Sequence, residues 1–420
     1  MRQPDAKAEA TVSQHPLRTV RAACHRTRNC EICGNESSFE VLGRRNYQVF
    51  RRHQVFSMEF EDSLCRKCGF VFQRDVPDDE FIADYYSEGF TTETAQARSL
   101  GGYDTDARLK VVKRHIPQGA KIIEVGASDG EFCRSLRAIG YDASGVDPLA
   151  FETNATDNDL VRRKLIGRQD DRDQITELFD AAVSYYVLEH VLDTKKWLGD
   201  IAASLKKSGH LIIEIPNYES FPTESLIHEH MSHFAPAHLA ALVESLGFTT
   251  LAINERPSRF FGMVIVAQLT GASRPAPGFD FAKQVASART SYAAGIAENK
   301  RRQTKLDDVA QSIKKILDAH GAATEIYLWG VNDYASALSE KIQAITGIVS
   351  TPVDNALSKI GSVQKGFQRP VIGPEFPMKS GKYRIFVLCS PHWNATIRAQ
   401  VEAMKLENIS IVDGVADVLR

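Results

Sequence analysis

Within the stretch IHEHMSHF, Ile227 to Phe234, three histidines and one glutamate fall inside the six residues His228 to His233. Imidazole titrates near neutral pH and also ligates metals, so the stretch suits either a metal site or an acid–base centre. It is not H-E-x-x-H, because counting from His228 would require a histidine at 232, and that position is Ser232. His230 and His233 would share one face of a helix, but no third ligand is evident beside them. As an acid–base centre, the stretch offers His230 as the base, with Glu229 orienting an imidazole or contacting a substrate hydroxyl. The plain alternative is a polar helix start, with Glu229 as its N-terminal acid.

A second constellation is KIIEVGASDG followed by EFCRSLRAIGYDASGVDPL. It reads as strand, glycine-containing turn, helix and second strand, the opening of a doubly wound α/β domain. The turn has Gly126 and Gly130 but lacks G-x-G-x-x-G, which argues against a dinucleotide. An acid at a strand end (Glu124), a turn open to a ligand's backbone approach (Gly126, Asp129, Gly130) and a second acid at the next strand end (Asp147) form the S-adenosylmethionine pattern. Asp147 can accept hydrogen bonds from both ribose hydroxyls. The rival reading is an ordinary βα turn with Asp147 as a loop acid.

Four of the seven cysteines form CEIC (Cys30, Cys33) and CRKC (Cys65, Cys68). Paired Cys-x2-Cys knuckles in a chain read as cytosolic point to zinc, since each knuckle aims two thiolates into one tetrahedral site. Gly34 and Gly69 permit the tight turn behind each knuckle. Four thiolates leave no open position, so this zinc is expected to be structural. The alternatives are a redox pair or unconnected thiols.

These groups must be held by a chain of 420 residues, long enough for two or three cores. With 51 basic against 53 acidic residues the net charge is -2, which supplies no general pull toward nucleic acid or an anionic membrane. No apolar run suits a membrane span and no signal-peptide order is present, so a cytoplasmic location is expected. The polar first 29 residues read as a disordered tail, whose arginines leave a transit peptide as the alternative. FEVLGRRNYQVFRRHQVFSMEFEDSLC, between the knuckles, suits a small β-rich unit. FIADYYSEGF reads as a helix that could lie over a neighbouring active site. FDAAVSYYVLEHV and HLIIEIPNY supply later strands buried on both faces.

Beyond the turn-rich GASRPAPGF comes a long charged helix, whose Val309, Ile313, Ile316 and Leu317 fall at packing spacing. A second α/β unit follows: EIYLWGVNDYASALSEKIQ, then GIVSTPVDN ending at Asp354, then RIFVLCSPHW. Gly330-Val331-Asn332-Asp333 stands where a dinucleotide protein would have two glycines.

The order CxxC…CxxC, EVGASDG, YYVLEHV, EIPNYESF…IHEHMSHF and a second α/β domain resembles the S-adenosylmethionine-dependent nucleotide-sugar C-methyltransferases, over residues 30 to 420. The resemblance implies a class I methyltransferase doubly wound sheet, with a small N-terminal zinc-binding domain and a C-terminal Rossmann-like domain holding a nucleotide-diphospho keto-deoxysugar. The expected division is a tail at 1–29, a zinc unit at 30–100, a methyltransferase domain at 101–270 and a nucleotide-sugar domain at 271–420. By motif, Glu229 and His230 match the family's catalytic pair, His190 matches another active-site histidine, and Tyr85 or Tyr86 matches a tyrosine that reaches the sugar. Where relatives read Tyr-His-Glu-His this chain has Ile227, which puts the substrate in question.

Carbon methylation gives these residues a use. A carbon next to a carbonyl becomes nucleophilic only when its proton leaves, and imidazole, with a pKa of about 6.5, suits that removal. His230 would take the proton, while His190 and a tyrosine would donate hydrogen bonds to the enolate oxygen. The rivals are an O- or N-methyltransferase acting on another small metabolite and a non-catalytic zinc and nucleotide-binding module.

Overall fold

The computed structural model describes residues 18–21, 25–51, 54–77, 81, 105–148, 160–163, 178–227, 229–255, 262–271, 281–321, 324–356, 359–361, 363–364, 366–375, 382–390 and 393–414. Tyr85, Tyr86 and His228 lie outside them.

The cysteine knuckles sit on β1 (Arg18–Arg21), β2 (His25–Thr27), β3 (Phe39–Arg51), β4 (Gln54–Cys65), β5 (Val71–Gln73) and β6 (Asp75–Pro77). β3 and β4 form a long antiparallel pair, and β5 runs antiparallel to β4 on the far side of the second knuckle. Each knuckle is the same turn built twice: Gly34 N–H donates to the Cys30 carbonyl, and Gly69 N–H to that of Cys65, both at 2.8 Å. Both glycines have left-handed φ, +70° and +78°, where a side chain would strain the backbone.

The central elements are α1 (Thr105–His115), β7 (Lys121–Val125), α2 (Glu131–Ala138), β8 (Asp142–Asp147), β9 (Val161–Arg163), β10 (Phe179–Tyr185), α3 (Thr194–Ser204), β11 (Leu205–Pro216), β12 (Ser232–His233), α4 (Pro236–Ser245), β13 (Phe248–Glu255) and β14 (Gly262–Leu269). Seven of the strands form one sheet in the order β13-β14-β11-β10-β7-β8-β9. β7 to β11 pair in parallel, and β14 runs antiparallel to both its neighbours. β10 and residues 211–216 of β11 are buried between core clusters that hold helix residues on either face, and fully burying one Ile or Leu contributes about 1.5–3 kcal/mol. The chain leaves β7 toward β8 and β9, then returns to β10 on β7's other side. Ligands of such sheets bind at that switch point, beyond the carboxyl ends of the strands. The twelfth strand is not in this sheet: β12 pairs with β5, joining the two parts of the molecule.

Last come α5 (Phe281–His320), β15 (Glu325–Trp329), α6 (Asp333–Thr346), β16 (Thr351–Val353), β17 (Arg384–Leu388), α7 (Asn394–Ala403) and β18 (Ile409–Asp413), the four strands forming a parallel sheet ordered β16-β15-β17-β18. The 40 residues of α5 make a rod of about 60 Å. Toward its C-terminal end Leu306, Ala310, Ile313 and Leu317 pack on the last sheet. Toward its N-terminal end Tyr292 donates to Asp62 of β4 at 2.9 Å, and Gly295 lies against the backbone of Pro222 so closely that a Cβ would come within 2.8 Å of that carbonyl.

Candidate active site

At the carboxyl end of β7 the chain turns through three left-handed residues, Gly126, Ser128 and Gly130, with φ of +83°, +51° and +79°. Ser128 N–H donates to Asp147 Oδ2 at 2.9 Å, so the carboxylate closing β8 is tied to the turn after β7. A Cβ on Gly126 would meet Val187 Cγ2 at 2.3 Å. Glu124 lies beneath this turn, buried, accepting the Cys133 thiol at 3.1 Å. Burial pushes its carboxyl up to about 7. Asp129 accepts Glu131 N–H at 3.1 Å and opens α2. Of the five residues assigned from sequence to cofactor contact, Gly126, Asp129 and Gly130 form the turn itself, Asp147 is tied to it from the end of β8, and Glu124 supports it from below.

Sequence reading missed the group next to it. Arg108 of α1 is buried with its guanidinium 4.0 Å from the Tyr185 ring centre, and its Nε lies 3.2 Å from Glu214 Oε2. Tyr186, at φ +58°, donates to Glu214 Oε1 at 3.1 Å. A strained non-glycine residue at a strand's carboxyl end is typical of a working site. Nothing in the local spacing joins Arg108 to Glu214, and no signal in the sequence marks the pair.

From Tyr186 the chain passes through Val187 into a single 3₁₀ turn, Leu188–His190. His190 meets His230 edge to face, with ring centres 4.8 Å apart. The Nδ1 of His190 lies 2.9 Å from the carbonyl of Glu229. A carbonyl only accepts, so that nitrogen carries the proton and Nε2 presents its lone pair in the neutral ring.

His230 and His233 do not share a helix face. Residue 229 is in a turn and Ser232–His233 is β12, because hydrogen bonds to β5 hold this backbone extended. The two rings converge instead on Glu224, in the 3₁₀ turn Pro222–Leu226. His230 Nδ1 lies 2.9 Å from Glu224 Oε2, and His233 Nδ1 lies 3.0 Å from both carboxylate oxygens. All three are buried. Burial lowers His230 to about 4, opposed by its bond to Glu224, and lowers His233 to about 3. The same desolvation raises Glu224, opposed by its bond to His230 and the charge of Arg45. The carboxylate that orients an imidazole is thus Glu224; what Glu229 offers His190 is its backbone carbonyl. Donor atoms of Glu189, His190 and His230 also fall within 4.8 Å of one another, with Glu189 Oε1 3.9 Å from His190 Nε2. Ile227, beside this cluster, is exposed.

The four knuckle sulfurs lie within 4.8 Å of one another, with Cys30 and Cys68 3.5 Å apart and Cys33 and Cys65 3.6 Å apart. Bonds of about 2.3 Å from a tetrahedral zinc would put sulfurs a little under 4 Å apart, so this donor set fits the ion. Asn35 Nδ2 donates to Cys65 Sγ at 3.4 Å, a polar neighbour suited to a thiolate.

In the last sheet, Asp354 Oδ2 accepts Val331 N–H at 2.9 Å and Lys359 Nζ at 3.0 Å. Gly330 lies against Ser390, where a Cβ would come within 2.8 Å of that residue's own Cβ. The turn resembling a dinucleotide loop is therefore packed on its own protein, and its acid already holds a lysine.

A methyltransferase-domain family model matches residues 100–253. The chain is similar to ubiquinone biosynthesis O-methyltransferases. It is 27% identical over 150 residues to that of Bradyrhizobium diazoefficiens, covering 32% of this chain and 58% of that protein. With the mitochondrial protein of Homo sapiens it shares 26% over 125 residues, covering 27% and 34%. In its first three such matches the chain spans between 49% and 60% of the relative's length. Among solved structures it is similar to Burkholderia thailandensis 1,6-didemethyltoxoflavin-N1-methyltransferase with bound S-adenosylhomocysteine, at 19% identity and a TM-score of 0.37, over 48% of this chain and 96% of that one. Among the described residues no helix is long and apolar enough to cross a membrane. The strand order, the glycine turn and the family match agree: the chain carries a class I S-adenosylmethionine-dependent methyltransferase domain.

Proposed function

We propose that this chain is a C-methyltransferase that deprotonates a nucleotide-linked keto-deoxysugar next to its carbonyl and methylates the resulting carbon from S-adenosylmethionine. One observation carries the reading: Val187 packs on the Gly126 turn and, three residues on, His190 touches His230. Across one 3₁₀ turn that is about 6 Å, so methyl donor and base would face the same small space. S-adenosylmethionine supplies the electrophilic methyl. Gly126, Asp129, Gly130 and Asp147 would hold it, with Glu124 beneath. His230 would accept the proton, His190, once protonated at Nε2, would donate to the enolate oxygen while its Nδ1–H stays on the Glu229 carbonyl, and Tyr86 would reach the sugar. Cys30, Cys33, Cys65 and Cys68 would hold a structural zinc, and the last α/β unit would carry the nucleotide.

A second reading is O-methylation, favoured by the similarity to ubiquinone O-methyltransferases and by Ile227 in place of a phenol. A buried imidazole base would equally deprotonate a hydroxyl. S-adenosylmethionine carrying a carbon-13 methyl, turned over with a 4-keto-deoxysugar nucleotide, separates the two. NMR correlation of the label to a ring carbon supports C-methylation. A label on oxygen, or no transfer to a nucleotide sugar that binds, moves the assignment to the O-methyltransferase.

A further inference from the structure

The buried carboxylate of Glu224 has a task that the base assignment leaves unnamed. We infer that Glu224 is the positioning residue of this site, fixing His230 in the tautomer whose Nε2 accepts the substrate proton; this rests on the reading of His230 as base. A neutral imidazole has one N–H and one lone pair, and only the lone-pair nitrogen can take a proton. Glu224 lies 2.9 Å from Nδ1, and a carboxylate accepts but does not donate, so Nδ1 carries the hydrogen and Nε2 is left bare. On abstraction Nε2 gains the substrate's proton, the C–H electron pair becomes the enolate, and the imidazolium so formed is balanced by the carboxylate already at its other nitrogen.

Two features keep Glu224 from swinging away. His233 Nδ1 lies 3.0 Å from each of its oxygens, so the second imidazole holds the carboxylate that holds the first. The 3₁₀ turn beneath it is held at Gly295 of α5, where no side chain fits, and at the Ser225 carbonyl, which accepts Arg45 at 2.6 Å. Arg45 is itself paired with buried Asp62 at 2.7 Å, and Tyr292 of α5 donates to that same carboxylate. The base is thereby referenced to three separate elements rather than to its own loop.

The first test needs no substrate. In wild-type protein labelled with nitrogen-15 histidine, proton–nitrogen correlation spectra assigned with His230→Ala should show His230 as the Nδ1–H tautomer at pH 7; an Nε2–H tautomer overturns the inference. Glu224→Gln keeps the shape but can donate as well as accept. It should shift His230 toward the Nε2–H form and slow substrate proton exchange roughly 100-fold or more, the range general-base catalysis spans, with substrate affinity unchanged. Glu224→Asp should restore part of the rate. An unchanged tautomer and rate in a folded Glu224→Gln, while His230→Ala abolishes exchange, sinks the positioning role and leaves the base in place. Full exchange in His230→Ala sinks the base instead.

Discussion

Gln73 donates its side-chain amide to the backbone carbonyl of His230 at 3.0 Å, so the strand that follows the second cysteine knuckle grips the residue assigned as base. Its backbone N–H also donates to the Met231 carbonyl at 3.0 Å, and Arg28, just before the first knuckle, reaches that carbonyl at 2.9 Å. The knuckles therefore bear on the site through the backbone of His230 and Met231.

Removing the metal should disturb the base from a distance. If the four thiolates hold zinc, a strong chelator under reducing conditions should raise hydrogen exchange across residues 229–235, because β12 loses its partner β5. Faster exchange confined to residues 30–38 and 65–70 would show that the knuckle stands apart from the site.

Gly126→Ala should abolish cofactor binding. Its left-handed φ of +83° alone costs an alanine about 1–2 kcal/mol. The new methyl would also drive into Val187 at 2.3 Å, moving the segment that leads to His190. Calorimetric titration with S-adenosylhomocysteine should show no binding to a protein whose melting temperature has dropped; wild-type affinity would contradict the placement of the cofactor at this turn.

Glu124→Gln should stabilise the protein, and only at higher pH. A carboxyl raised from 4.5 to about 7 binds its proton more tightly when folded. Its contribution is fully present below pH 4.5 and is lost as pH rises through 7. The loss approaches roughly 3.5 kcal/mol, about 2.5 pKa units at about 1.4 kcal/mol each. Denaturant melts of the two proteins should agree near pH 4.5 and separate by pH 8, the variant being the more stable; a gap independent of pH would mean that burial does not perturb Glu124.

The acid limb of catalysis follows from His230. A base works deprotonated, and burial lowers this imidazole to about 4, so proton abstraction should be flat across neutral pH and fall only toward pH 4. Loss beginning near 6.5 would mean a solvated imidazole.

The parts legible in the sequence are those made by neighbours in the chain. Two cysteines spaced for one turn, with a glycine behind, announce that turn, and Gly126 with Gly130 announces another, since local geometry allows few alternatives. The Ala-Ala-Val run of β10 and the Leu-Ile-Ile run of β11 read as buried strand because apolar residues follow one another there without the polar alternation of a half-exposed strand. Glu224 was not legible. It lies six residues before His230, too far along any regular helix or strand for the two side chains to meet, and it reaches the imidazole from a 3₁₀ turn held by Gly295 and Arg45. HEHMSHF reads as helix locally, yet pairing of Ser232 with Phe72 and of His233 with Val71 overrides that preference. Arg108 reached Glu214 by a fold-level contact that no window of sequence contains.

Deuterium exchange tests the central claim most directly. Wild-type and His230→Ala proteins would be incubated without cofactor in D2O with a 4-keto-deoxysugar nucleotide, binding being verified separately, and the carbon next to the carbonyl followed by NMR. Exchange in the wild type that falls at least 100-fold in the variant is the expected result, on the scale of general-base catalysis. A bound nucleotide sugar that never exchanges in wild-type protein would contradict abstraction from carbon.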